Sequence, residues 1–115
     1  MNVTVETLGG ATVVVAQGRL DFGASAEFQK TLESSIAAKP FAVIVDGAGL
    51  DYLSSAGLRA FLVAARSARE AGVAFCLCSL QSSVRDVLEL SGFNRIIDVH
   101  ADRAAALAKV GGTKA

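Results

Sequence analysis

Phe41-Ala42-Val43-Ile44-Val45-Asp46-Gly47-Ala48-Gly49-Leu50-Asp51-Tyr52-Leu53-Ser54-Ser55-Ala56-Gly57-Leu58-Arg59 is the stretch that sets the fold class. Its first five residues are an unbroken apolar run rich in β-branched side chains, the pattern of a strand buried on both faces of a parallel sheet. Asp46 and Gly47 close that strand. Past Ser54-Ser55 the apolar residues return at Leu58, Phe61, Leu62, Ala65 and Ala68, a helical stripe that runs to Gly72 as its C-terminal stop. Arg59, Arg66, Arg69 and Glu70 fill the opposite face. Strand, connection and helix in this order build open α/β sheets. There, function gathers where strands end and helices begin, because backbone N–H groups and the positive helix end are exposed. Asp46 to Arg59 is expected to be that place.

Toward the N-terminus, Val3 to Leu8 alternates apolar and polar residues, and Ala11-Thr12-Val13-Val14-Val15-Ala16 is short and β-branched. With Gly9-Gly10 between them, the two runs predict a hairpin. Gly18-Arg19-Leu20-Asp21-Phe22-Gly23 has turn composition, and Ala24, Phe28, Leu32 and Ile36 then recur at helical intervals up to Pro40.

Toward the C-terminus, Val73-Ala74-Phe75-Cys76-Leu77-Cys78 predicts a strand. Ser83-Val84-Arg85-Asp86 resembles a capping box opening a helix that points Val84, Val87 and Leu88 inward and stops at Gly92. Ile96-Ile97-Asp98-Val99 predicts a short last strand and 102–110 an Ala-rich helix, leaving 111–115 as a flexible tail. The order β-β-α-β-α-β-α-β-α, with right-handed crossovers, predicts one α/β domain over residues 1–110: a mixed, mostly parallel sheet of four to five strands with about four helices.

The chain has 115 residues with 11 Lys+Arg against 11 Asp+Glu, 52% hydrophobic residues and 19% charged, so it is one domain able to bury a core without staples. Zero formal charge and no basic run remove the attraction that nucleic acid or an anionic membrane would draw on. Met1-Asn2-Val3-Thr4-Val5-Glu6 has no basic start followed by an apolar stretch, and no apolar run is long enough to span a bilayer, so the chain is expected to be cytoplasmic. Two Cys, one His, one Tyr and no Trp leave little material for catalysis and no ordinary metal site. Cys76 and Cys78, two apart on a strand, share one face and read as small core residues rather than a redox pair.

Ser54 and Ser55 stand at a helix start, where a hydroxyl can accept from an unpaired N–H, so capping alone is the plain alternative to any functional role. A nucleophilic role lacks its frame. The residue two before Ser55 is Leu53, not the Gly of a hydrolase elbow, and His100 has no evident orienting carboxylate. Gly47 and Gly49 are not followed by the Lys-Ser/Thr of a phosphate-binding loop.

Four motifs in succession, Gly18-Arg19-Leu20-Asp21, Val43-Ile44-Val45-Asp46, Tyr52-Leu53-Ser54-Ser55-Ala56-Gly57-Leu58 and Leu88-Glu89-Leu90-Ser91-Gly92-Phe93, resemble the STAS domain family, and within it the stand-alone anti-sigma-factor antagonists of bacteria. The resemblance runs from the first strand to about Leu107 and implies a STAS-like fold and a partner-switching phosphoprotein, not an enzyme, with no cofactor. In that family the unphosphorylated protein binds an anti-sigma factor that is also a serine kinase, which frees the sigma factor. Phosphorylation abolishes binding, and a serine phosphatase resets the switch.

The family's usual Asp-Ser-Ser-Gly maps onto Ser54-Ser55-Ala56-Gly57 and makes Ser55 the acceptor. Ser54 replaces the Asp and Ala56 the second Ser, which alters the setting a kinase reads and makes Ser54 a decoy acceptor. The resemblance places Asp21, Ser54, Ser55, Ala56, Gly57, Arg59 and Val63 on the partner-binding surface. Asp21 also suits a turn or cap, Arg59 and Val63 also suit a solvated helix face, and Asp46 either holds its loop or meets a partner. Gly57, inside the first helical turn, points to close approach by another backbone.

Three alternatives follow. One is the antagonist switching at Ser55, as a monomer or weak dimer. Another is a non-phosphorylated STAS interaction module of a transport or sensory complex, with Ser55 only capping. The third is a small α/β enzyme with Ser55 or Cys76 as nucleophile.

Overall fold

A computed structural model describes residues 1–114, with side chains described for 1–110. It begins with strands β1 (Asn2–Leu8) and β2 (Ala11–Leu20), paired antiparallel in register from Asn2↔Gln17 to Leu8↔Ala11. Gly9 and Gly10 join them with φ of 59° and 84°, the left-handed pair a tight hairpin turn requires and only glycine adopts freely. Helix α1 (Phe22–Ala37), strand β3 (Ala42–Leu53), helix α2 (Ser55–Ala71), strand β4 (Ala74–Cys78), helix α3 (Ser82–Ser91), a 3₁₀ turn (Phe93–Arg95), strand β5 (Asp98–His100) and helix α4 (Arg103–Lys114) follow. The flexible tail expected at 111–115 lies outside the residues whose side chains are described. No helix among the described residues is long and apolar enough to cross a membrane.

The sheet has five strands in the order β1-β2-β3-β4-β5, with every pair after the hairpin parallel. Because β2 to β5 advance in one direction, crossovers of one hand must lay α1, α2 and α3 on the same face. The core divides accordingly. Val14, Ala16, Val43, Val45 and Leu77 meet Phe28, Leu32 and Ile36 of α1, Ala60, Phe61, Ala64 and Ala68 of α2, and Val84 and Leu88 of α3. On the other face Ala11, Val13, Ala42, Ile44, Cys76 and Cys78 meet Ala106 and Val110 of α4. Phe28 and Phe61 pack edge to face at 5.7 Å, adding about 0.5–1.5 kcal/mol to their burial and joining α1 to α2.

Several expectations need correction. Gly18-Arg19-Leu20 is strand, not turn, and residues 46–53 are strand, not loop. Each supports the other: β2 and β3 stay paired from Val15↔Asp46 through Gln17↔Gly49 to Leu20↔Leu53, with two register shifts that take up the irregular residues. Gly49 fits there because a Cβ would lie 2.8 Å from Cγ of Gln17. Helix α3 is capped at Gln81 without a side-chain bond, so Ser83 and Asp86 form no capping box. Gln81 instead donates from Nε2 to the Ala48 carbonyl at 2.9 Å. The inward face of α2 is Gly57, Ala60, Phe61, Ala64 and Ala68, which turns Leu58, Leu62 and Ala65 to its flank. The last strand starts two residues later than expected, after the 3₁₀ turn that leaves Ile96 53% exposed.

Candidate functional site

Since β2 and β3 run parallel and end opposite each other at Leu20 and Leu53, the starts of α1 and α2 lie side by side at one sheet edge. Asp21 caps α1, its Oδ1 accepting from the Ala24 N–H at 2.9 Å. Ser54 caps α2, its Oγ accepting from the Gly57 N–H at 3.1 Å. The same Oγ donates to the Leu20 carbonyl at 2.8 Å, and the Ser54 N–H donates to that carbonyl at 3.0 Å. With its carbonyl accepting from the Leu58 N–H at 2.9 Å, Ser54 is bound four ways and half-buried. It fastens the start of α2 to the end of β2.

Ser55 is the first residue of α2, exposed, and its hydroxyl has no hydrogen-bond partner among the described residues. Capping therefore belongs to Ser54 and cannot be the role of Ser55. Neither α1 nor α2 has an acidic residue in its first turn, so two helix N-termini present their N–H groups here, that of α1 capped by the Asp21 carboxylate. That end favours an anion. A group added to the Ser55 hydroxyl would displace no existing bond.

Arg59 and Val63 follow Ser55 at intervals of one turn and line one stripe of α2, Arg59 exposed and Val63 half-buried. Ala56 is half-buried beside them. Gly57 is buried instead: a Cβ there would lie 2.6 Å from Cγ of Leu20 and 2.9 Å from Cδ1 of Leu53. The close approach expected at Gly57 is thus made by two leucine side chains rather than a backbone, and it seats α2 on the sheet. Asp46 is turned to the other face, where it accepts from the Ala48 N–H at 3.0 Å and pairs with Arg103 at 2.6 Å.

Two features escaped the sequence reading. Arg19 lies 4.1 Å over the Tyr52 ring, and the two are register partners at the strand ends. Phe22, directly after the Asp21 cap, is 82% exposed. A turn-like composition hid both, since β2 and β3 had to be extended before Arg19 and Tyr52 could face each other. The site is therefore a shallow surface: a free hydroxyl, two helix starts, one stacked Arg–Tyr pair and an exposed aromatic ring. Among the described residues no base is hydrogen-bonded to the Ser55 hydroxyl.

The family model of the STAS domain matches residues 2–106. BtrV of Bordetella bronchiseptica, a candidate anti-sigma factor antagonist, is 33% identical over 108 residues, covering 94% of this chain and 93% of BtrV. An anti-sigma factor antagonist from Mycobacterium paratuberculosis has a similar structure, with TM-score 0.88, 20% identity and coverage of 95% of this chain and 92% of that one. The unphosphorylated form of SpoIIAA matches with TM-score 0.81, 20% identity and coverage of 96% and 97%. At these identities the two structures speak for the fold.

Proposed function

The chain belongs to the STAS domain family, and from that membership we propose that it is an anti-sigma-factor antagonist whose switch is the Ser55 hydroxyl. The unphosphorylated protein binds an anti-sigma factor that is also a serine kinase, through the surface of Asp21, Ser54, Ser55, Ala56, Arg59 and Val63, and so releases a sigma factor in the cytoplasm. Phosphorylation of Ser55 ends that binding, and a serine phosphatase restores it. The observation that carries this reading is the contrast between two neighbours: the Ser54 hydroxyl is committed to two hydrogen bonds, and the Ser55 hydroxyl is exposed and has none among the described residues.

The physics of the switch follows. A phosphate at the first residue of α2 adds about −1.5 to −2 charge at the positive end of a helix, where the fold tolerates it. Its effect falls on the docking surface, as bulk, desolvation cost and repulsion of any carboxylate brought near. The chain is substrate and partner rather than catalyst.

Incubating the protein with ATP and its cognate kinase, then mapping the product by mass spectrometry, is expected to place one phosphate on Ser55 and none on Ser54. Ser55→Glu should weaken kinase binding by at least about tenfold, roughly 1.4 kcal/mol, and Ser55→Ala should keep binding while blocking control. Phosphate elsewhere, or full binding by Ser55→Glu, would sink the switch and favour a STAS interaction module that is not phosphorylated.

A further inference from the structure

The C-terminal half of α2 holds a second set of exposed groups, well away from Ser55. A recess of about 340 Å³ there is lined by Leu62, Ala65, Arg66 and Arg69 of α2 together with Arg95 and Ile96 at the 3₁₀ turn. Leu62 and Ala65 are half-buried and form an apolar floor, and Ile96 beside them is 53% exposed. Arg66, Arg69 and Arg95 are exposed, and none of their guanidinium groups has an ion pair or hydrogen bond among the described residues. Arg19 and Arg103, by contrast, are engaged with Tyr52 and with Asp46 and Glu6.

One solvated arginine is ordinary. Three unpaired guanidinium groups around one apolar floor, on a chain whose charges balance as a whole at 11 and 11, are a local excess with a shape. Guanidinium offers a planar fork that matches carboxylates two bonds at a time, and the apolar floor would gain from being covered.

We propose that this recess is a docking site for an acidic segment of a partner protein, one that sets Asp or Glu side chains against Arg66, Arg69 and Arg95 and an aliphatic side chain on Leu62, Ala65 and Ile96. Nucleic acid suits it less well, because no aromatic ring lines the recess to stack a base and the chain carries no net positive charge. Along the α2 axis the two arginines lie roughly 16 to 21 Å from Ser55 at 1.5 Å per residue. A partner can therefore occupy the recess in either state of Ser55, and the proposal stands apart from the reading of that serine.

The test is a titration of the ¹⁵N-labelled chain, followed by amide NMR. The probes are a short synthetic peptide set combining Glu or Asp with one Leu, the same peptides with Gln and Asn in place of the acids, a single-stranded RNA oligonucleotide, and inorganic phosphate. The acidic peptides are expected to give saturable shifts at Leu62, Ala65, Arg66, Arg69, Arg95 and Ile96 that weaken with added salt. Their neutral counterparts should give none. The triple variant Arg66→Gln/Arg69→Gln/Arg95→Gln, with the parent's melting temperature, should bind at least about tenfold more weakly, and Ile96→Ser should weaken binding to a lesser degree. Absence of saturable shifts at the recess, equal binding of the neutral peptides, or an unaffected triple variant would overturn the proposal. RNA or phosphate shifting these residues in place of the acidic peptides would overturn it as well.

Discussion

Ser54 and Ser55 have identical side chains and unequal surroundings. Replacing Ser54 with Ala removes the α2 cap and leaves the Leu20 carbonyl with one donor fewer, so Ser54→Ala is expected to lower stability by about 1–2 kcal/mol. Ser55→Ala removes an exposed, unbonded hydroxyl and is expected to stay within about 0.5 kcal/mol of the parent. Urea denaturation of the two variants side by side checks this, and equal losses would show that the two serines share the cap. Sequence could mark the pair but not divide the roles. Which serine caps depends on where β3 ends, and the carbonyl that holds Ser54 belongs to Leu20, distant in the chain. Asp21 was ambiguous for a related reason: its residue type suits a cap and a docking group equally, and only the bond to Ala24 shows that it caps α1.

Among the elements, those with strong periodicity were legible. The Gly9-Gly10 hairpin, the Phe28-Leu32-Ile36 face of α1 and the stops at Gly72 and Gly92 are found as expected. Residues 46–53 were not, because Asp46, Gly47 and Gly49 carry the punctuation of a loop, while pairing with β2 holds Asp46 and, past a register shift, resumes at Gly49. Asp46 shows what that costs and how it is met. It is 8% exposed within β3, and Arg103 at the start of α4 reaches it through Nε while its NH1 reaches Glu6 of β1 at 3.0 Å. These hydrogen bonds to Asp46 and then Glu6 hold the Arg103 pKa above its usual value. One guanidinium thus fastens α4 to a central and an edge strand. Arg103→Ala leaves a buried carboxylate unpaired and is expected to cost about 1–3 kcal/mol, while Glu6→Gln, at a half-exposed site, should cost no more than about 0.5 kcal/mol. Equal denaturation midpoints for Arg103→Ala and the parent would remove Asp46 from the list of groups needing that partner.

At the scale of the molecule, one-directional strand order gives the sheet two unlike faces: three helices cover one and α4 alone covers the other. The two-residue spacing of Cys76 and Cys78 placed both on one face from sequence; that it is the α4 face follows from the topology, which no local pattern encodes. Both thiols are free and buried there against Ala106 and Val110. Burial, then the nearby Cys78 and Asp98, pushes the Cys76 thiol from 9.0 up to about 12. Burial raises Cys78 as well. The unfolded chain therefore loses these protons at lower pH than the folded one, so the stability they confer is whole below about pH 9 and is lost as pH rises above it, for Cys76 toward about 12. In that window Cys76 contributes a slope of about 1.4 kcal/mol per pH unit, and Cys78 acts in the same direction. Urea midpoints measured at pH 7, 9 and 10 for the parent and for Cys76→Ala/Cys78→Ala isolate the term, because the double variant keeps every other alkaline group. The parent is expected to lose stability more steeply above pH 9 than the variant, and native alkylation of both thiols by iodoacetamide at pH 8 should be far slower than in urea. Parallel pH curves together with rapid native alkylation would mean that α4 does not keep the second face closed.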